Sequence, residues 1–390
     1  MIPDYSFVSP IPPQMTGIAD YADGLIRGLQ SLGRTIQIYT QTRYAAAGTA
    51  DGILPLSEFN REISPPDRTV YQIGNNRLYH DEQILHVMKN GGIVHLHDFS
   101  LHHIFAHFTY VRDKDIYYGL LHKWYGAHLA DSVRAWQERQ CKPFWETPGV
   151  VAHPLHEEVI APAHAVIVHS QFAKRFISER FPTKAVYVIP QRYPDAIAVE
   201  RVGNRPFKVC SLGFVDPYKT VEKTVEAVAR CRDQGVDILL DVVGEIHENC
   251  KSFPALAESL GVADRVKFLG KVSQEVLLDQ FSTSDLCIVL RDPTMGETSA
   301  IVSRALQFGM PLIVNDVGSY SELPAFVPKL PTGHHVSQEL SDILCRWTTK
   351  PEAFRLVSNE AYRYACQEAS FTKATIEYDR ILQDVQLDAS

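Results

Sequence analysis

The 390-residue sequence has no Cys-x-x-Cys pair, and its cysteines (Cys141, Cys210, Cys231, Cys250, Cys287, Cys345 and Cys366) are scattered and odd in number. That pattern argues against a zinc site. It fits buried thiols in a reducing compartment better than a disulfide frame. No apolar run approaches the roughly 18 residues that a bilayer-crossing helix needs. Met1-Ile-Pro-Asp-Tyr5 lacks the basic and apolar regions of a secretory signal. A cytoplasmic protein is expected, with peripheral contact at the inner face of a membrane left open. Positive charge is not in excess: 38 Lys and Arg stand against 46 Asp and Glu, a formal net charge of −8. This argues against general nucleic-acid binding but leaves room for a local basic pocket. Repeats of solenoid period and low-complexity tracts are absent.

What is present is ordinary for a globular chain, with 45% apolar and 22% charged residues. The length favours two domains over one core. Strands alternate with helices in both halves, which predicts parallel α/β sheets whose ligands sit beyond the carboxyl ends of the strands. The first half reads as strands at 5–8, 35–39, 69–73, 93–96, 165–170 and 186–189, with helices at 18–32, 81–89 and 171–181. Residues 101–160 break this rhythm. They are helical, rich in His and aromatics, and read as an insertion covering the first domain. The second half reads as strands at 208–212, 238–243, 266–269, 286–290 and 312–314. The domain reading is 1–190, a linker at 191–206, a second domain at 207–370, and a helix in 371–390 packing back on the first domain.

The most informative stretch runs from Arg291 to Leu323. Arg291-Asp-Pro-Thr-Met-Gly-Glu-Thr-Ser299 leads into a short helix in which Ile301, Val302, Ala305 and Leu306 are spaced to face a core. Gly309 and Pro311 end that helix. A buried strand follows, and Asp316-Val-Gly318 turns off its end. Thr298 and Ser299 are N-cap types. A helix that starts after a glycine loop presents N–H groups, which Thr298, Ser299 and Ala300 would offer to phosphate. The expectation is that this helix start holds the diphosphate of a nucleotide-sugar.

Four segments together resemble glycosyltransferase family 4: Ser9-Pro-Ile-Pro-Pro-Gln-Met-Thr-Gly17, Val94-His-Leu-His-Asp98, Gly213 to Lys219, and Arg291 to Ser299. They occur in that family's order and spacing over nearly the whole chain. The resemblance implies a GT-B fold, two Rossmann-like parallel-sheet domains facing across a cleft. The acceptor would lie mostly on the first domain and the nucleotide-sugar mostly on the second. It implies transfer with retention, with no metal and no bound cofactor, the nucleotide-diphosphate-sugar serving as co-substrate. A saccharide or lipid-linked saccharide acceptor, as in bacterial surface polysaccharide synthesis, is the expected partner.

Without a metal, cations and oriented N–H dipoles must stabilise the departing diphosphate. Lys219 matches the family's diphosphate lysine, in the loop that Gly213 opens. The family's Arg five residues earlier is Phe214 here, and Arg291 is the candidate replacement. The family's Glu-x7-Glu motif aligns with Gly296 and Arg304, which leaves Glu297 one position late. Glu297 is expected to touch the donor sugar in a variant site; the plain alternative is an acidic first-turn residue favoured by the helix dipole. Gly17 matches a loop glycine that approaches donor and acceptor where a Cβ would obstruct. His97 matches a cleft histidine beside the transferred sugar, able to hydrogen-bond a hydroxyl or pass a proton. His95 is expected on the opposite face in a structural role. Glu322 matches a glutamate near the nucleotide, against the alternative of a surface loop.

Two patterns are expected to mislead. His95, His97, His102 and His103 look like a metal cluster, but no second ligand group at metal spacing accompanies them. Asp113-Lys-Asp115 looks like a metal–diphosphate motif but falls in the helical insertion, where it reads as a solvated turn. The departures at Gly296 and Arg304 sustain an alternative function, a catalytically inactive GT-B nucleotide-sugar-binding partner. A further alternative keeps the fold and changes the reaction to an epimerase or a phosphorylase.

Overall fold

In the computed structural model, residues 2–45, 52–139, 143–194, 196–201, 203 and 206–389 are described. Cys141 lies outside them, and the other six cysteines are free thiols. The chain divides into two compact units. The first comprises Met1–Gln191, Met295–Thr298 and Thr372–Ser390, and the second Arg192–Thr294 and Ser299–Phe371.

The first unit is built on β1 (Tyr5–Val8), β2 (Ile36–Thr40), β3 (Ile53–Pro55), β4 (Thr69–Ile73), β5 (Ile93–Leu96), β6 (Ala165–Val168) and β7 (Ala185–Val188). They pair in the order β3-β2-β1-β4-β5-β6-β7, every pair parallel. The second unit pairs β8 (Phe207–Leu212), β9 (Ile238–Val243), β10 (Val266–Gly270), β11 (Leu286–Val289), β12 (Leu312–Asn315) and β13 (Lys329–Leu330) in the order β10-β9-β8-β11-β12-β13, again all parallel. Helices cover both faces of such sheets, so central strands are apolar throughout rather than alternating. β4, β5, β6, β11 and β12 are buried at every residue.

These strand orders locate the loops that can bind. Strand order reverses between β1 and β4 in the first sheet and between β8 and β11 in the second. At such a switch point the loops leaving neighbouring strands diverge and open a crevice. In the first unit the diverging loops are 9–16 and 74–76. In the second they are 213–220 and 290–299. Both stretches that the sequence singles out in the second half thus leave adjacent strands at one switch point.

Local chemistry sets the element ends. The helix Gly17–Ser31 starts at Thr16, whose hydroxyl accepts the Ala19 N–H at 3.0 Å, and buries Tyr21, Leu25, Ile26 and Leu29. Full burial of an aliphatic side chain of this kind contributes about 1.5–3 kcal/mol. The helix expected at 81–89 is longer, Arg77–Asn90, because Asn76 caps it by accepting the Leu78 N–H. Helices Val336–Thr349 and Pro351–Gln367 were not anticipated.

The expected linker is a correction. Its described residues pack on the second unit: Val199 N donates to Phe308 O at 2.9 Å, and the Arg201 guanidinium, nearly fully buried, donates to backbone carbonyls of Phe281, Ser284, Phe308 and Gly309. A stretch without helical or strand periodicity can still be rigid when its polar groups find such partners.

Within the insertion, Trp145 meets Tyr110 and Tyr117 edge-on at 5.0 and 5.5 Å, so these aromatics pack the insertion itself. Asp113 caps the helix Lys114–Tyr125 through the Asp115 N–H, and Asp115 pairs with Arg134 at 2.8 Å. Among the described residues no helix is long and apolar enough to cross a membrane.

The C-terminal helix Phe371–Ala389 belongs to the first unit from Thr372 onward. Its Asp379 accepts from the Tyr5 hydroxyl at 2.8 Å and from Arg34 Nε and Nη2 at 2.8 and 2.6 Å. Burial alone would raise this carboxyl. Arg34 and Tyr5 outweigh it, and the group is held below the usual carboxylate range. A depressed folded pKa stabilises above the unfolded value, about 3.9, and that stabilisation disappears as pH falls through the folded value. Asp379→Asn is expected to cost about 2 kcal/mol at pH 7, as for loss of a charge-assisted bond. Urea unfolding at pH 7 and at pH 3 checks this: the gap between variant and wild type should shrink at the lower pH.

Candidate functional site

In the second unit, β8 ends at Leu212 and the chain turns at Gly213, whose φ is +91°. A Cβ built there would lie 2.8 Å from the Lys219 ammonium and 3.5 Å from the Ile301 side chain. The glycine therefore leaves the space that the lysine occupies. It also brings Lys219 beside the first turn of the helix Ala300–Gln307, which carries Ile301. Ser299 is the N-cap of that helix, its hydroxyl accepting the Val302 N–H at 3.4 Å. The amides of the first turn have no partner within a helix by geometry, and the dipole makes that end favourable for an anion. Lys219 Nζ also donates to Leu212 O at 3.4 Å.

The loop 291–294 is tied at several points. Arg291 N donates to Asn315 Oδ1 at 2.7 Å, and Asn315 Nδ2 donates to Pro331 O at 3.1 Å. Asp292 N donates to Tyr218 O, and Asp292 Oδ2 accepts the Gly333 N–H at 3.1 Å. The Arg291 guanidinium pairs with Asp216 at 3.6 Å, and Asp216 in turn accepts the Tyr218 N–H and the Lys219 N–H. Arg291 thus holds the lysine loop through Asp216. Glu322 closes the short turn Gly318–Glu322 and is exposed. Arg304 is buried and lies over the Tyr193 ring at 3.9 Å.

In the first unit, Gly17 is the first residue of its helix and is exposed, and a Cβ there would meet no atom within 4 Å. The chain itself does not demand glycine at this position. Gly296 is different. Its φ is +80°, and a Cβ would lie 2.3 Å from the Phe99 ring. A side chain at position 296 would overlap Phe99, and the acid next to it is Glu297. Glu297 curls back so that Oε2 accepts the Met295 N–H at 2.7 Å. With Asp98, Asn75, His103 and Trp145 it lines a pocket of about 200 Å³. Asp98 accepts the Asn75 N–H at 2.7 Å. Its carboxyl is raised above the usual value, first by burial and further by the nearby Glu297 charge, against the opposing Asn75 bond.

The histidines depart from expectation. His95 and His97 are stacked, with ring centroids 4.5 Å apart, rather than on opposite faces. Positions two apart on an extended chain point the same way, and the strand direction continues through His97. His97 is only 6% exposed. Its Nε2 lies 2.6 Å from Gln72 Oε1 and its Nδ1 lies 3.0 Å from His169 Nε2. Both ring nitrogens are engaged inside the unit. His169, Asp98 and Asp216 were not singled out. Asp98 and Asp216 lie within the quoted segments, whereas nothing local marks His169.

Residues 194–325 match the family model described as glycosyl transferases group 1. No curated protein matches the chain in sequence. Among solved structures, the chain is similar to HepE of Anabaena in complex with UDP and glucose, with a TM-score of 0.63 at 14% identity, covering 97% of this chain and 99% of that one. It is similar to sucrose-phosphate synthase of Thermosynechococcus elongatus, with a TM-score of 0.61 at 16% identity and 99% of each chain covered. It is also similar to WaaG, a glycosyltransferase involved in lipopolysaccharide biosynthesis, with a TM-score of 0.61 at 15% identity, covering 97% and 99%. At these identities the likeness is one of fold. The chain has the GT-B fold of two Rossmann-like units, and its residues 194–325 carry the match to glycosyl transferases group 1.

Proposed function

We propose that this chain is a retaining glycosyltransferase of family 4 that moves a sugar from a nucleotide-diphosphate-sugar to a saccharide or lipid-linked saccharide. The observation that carries the reading is the convergence at Gly213. There the Lys219 ammonium and the first turn of Ala300–Gln307 flank one space at the switch point of the second sheet. A cation beside a helix start is what a departing diphosphate requires in the absence of a metal. Thr298, Ser299 and Ala300 offer their amides there, and Arg291 fixes the lysine loop through Asp216. Glu322 reaches the nucleotide.

Glu297 accepts from donor-sugar hydroxyls. Asp98, with its raised carboxyl, receives an acceptor hydroxyl in the pocket that Trp145 walls. Gly17 leaves space for a ligand, and His97 acts as a positioning residue. HepE, with UDP and glucose bound, and WaaG, in lipopolysaccharide biosynthesis, support a uridine donor and a bacterial glycoconjugate product. Peripheral contact with the inner face of a membrane suits a lipid-linked acceptor.

One observation favours the inactive binding partner: the place of the family's second glutamate is taken by Arg304, buried over Tyr193. A metal-free panel of UDP-, GDP-, dTDP- and ADP-sugars separates the two. We expect one donor to raise the melting temperature and to be slowly hydrolysed without acceptor. Stabilisation without hydrolysis or transfer would favour the binding partner, and no stabilisation by any donor would sink both readings.

A further inference from the structure

Three buried histidines of the first unit, His95, His97 and His169, can each offer one ring nitrogen, and these nitrogens all lie within 4.8 Å of one another. The opposite nitrogens face outward to separate partners. His95 Nδ1 lies 3.0 Å from the Tyr378 hydroxyl, His97 Nε2 lies 2.6 Å from Gln72 Oε1, and His169 Nδ1 lies 2.8 Å from Ile189 O. A carbonyl oxygen only accepts, so His97 and His169 each donate outward. A neutral imidazole has one N–H. No proton then remains for the 3.0 Å contact between His97 Nδ1 and His169 Nε2. His95 Nε2 is fully buried and has no hydrogen-bond partner at all.

Clustered imidazole nitrogens, backed at His97 and His169 by an N–H held to an outer acceptor, are the arrangement by which proteins bind zinc through imidazole. The Tyr21 ring stands edge-on to all three histidines at 5.2–5.5 Å and closes one side. We propose that His95, His97 and His169 bind one divalent transition-metal ion, with Zn²⁺ the best match to three imidazoles. The ion is structural. It ties the end of β5 to the end of β6 and, through Tyr378, to the C-terminal helix. The ligand nitrogens would draw together to about 3.4 Å, as Zn–N distances near 2.0–2.1 Å in a tetrahedral set require. The proposal is independent of the transferase reading.

A metal-free arrangement also exists. If the Gln72 amide is turned over, it donates to His97 Nε2, His97 donates to His169, and His169 donates to Ile189 O. That chain still leaves His95 Nε2 without a partner.

The experiment uses the full chain without a histidine tag, stripped with a chelator and then titrated with Co²⁺ and Zn²⁺. We expect visible d–d absorption saturating at one Co²⁺ per chain and a Zn²⁺-dependent rise in melting temperature. His95→Gln, checked for folding by circular dichroism, should bind Co²⁺ roughly 100-fold more weakly, and Tyr378→Phe, which removes an outer partner, about 10-fold more weakly. Should His95→Gln fail to fold, the Co²⁺ spectrum of the stripped wild type decides alone. Absence of that band, or an equal Zn²⁺ response in folded His95→Gln, overturns the proposal in favour of the turned-over amide.

Discussion

Lys219→Ala is expected to lower transfer by roughly 10²–10³-fold, the range found when a single group aimed at developing charge is removed. The argument rests on where the ammonium lies. It fills the space that Gly213 vacates, beside the Ile301 side chain and thus beside the helix start. In this position it faces charge that grows as the sugar–phosphate bond breaks, so the loss should fall mainly on kcat, with a smaller rise in KM. The melting-temperature shift with nucleoside diphosphate should shrink with it. Arg291→Ala makes a useful comparison. Its guanidinium is paired with Asp216, which also holds the Lys219 N–H. Arg291→Ala should therefore act by loosening the lysine loop, with a smaller loss than Lys219→Ala. Steady-state kinetics on both variants checks the order. An Arg291→Ala defect as large as that of Lys219→Ala would show that the arginine itself carries phosphate charge.

Gly296→Ala is the second substitution with a large expected effect. Two costs add at this residue. A non-glycine residue at φ +80° is strained by about 1–2 kcal/mol. Its Cβ would also lie 2.3 Å from the Phe99 ring, which forces a shift costing about 1–3 kcal/mol. The same shift would displace Glu297, whose carboxylate is held by the Met295 N–H only one residue away. Activity should fall more than stability alone predicts. The double variant Gly296→Ala with Phe99→Ala separates the two costs. It removes the ring overlap, leaving the 3.0 Å approach of the residue 99 Cβ and the backbone strain, so stability should recover only in part, measured by thermal melting against each single variant. Full recovery would mean that neither the φ at 296 nor the remaining Cβ approach carries a cost.

Sequence and structure agree where the signal is local. The helix start at Ser299 is legible because a capping hydroxyl, an apolar period and a glycine stop all occur within eleven residues. Gly213 and Lys219 are legible because one loop carries both. Gly296 is visible in sequence, but the Phe99 ring that a side chain there would meet is nearly two hundred residues away in the chain. The packing of the described residues of 191–206 is not legible, because proline without periodicity looks like loose chain, whereas Arg201 reaches four carbonyls of the second unit. His95 and His97 were separated by a wrong reading of strand alternation that the sequence itself could have corrected.

The sequence alone determined two α/β halves, the parallel sheets and the loops that leave the strand ends, because strand–helix alternation and turn residues are short-range chemistry. Only the tertiary structure decided which distant side chains meet. β5 and β6 lie side by side although some seventy residues separate them, and that pairing sets His169 against His97. The C-terminal helix brings Tyr378 to His95 and Asp379 to Tyr5 and Arg34. Contacts of this kind follow from strand order and helix docking, which no local pattern encodes, and they are where the histidine cluster, the role of Arg291 and the need for glycine at 296 became readable.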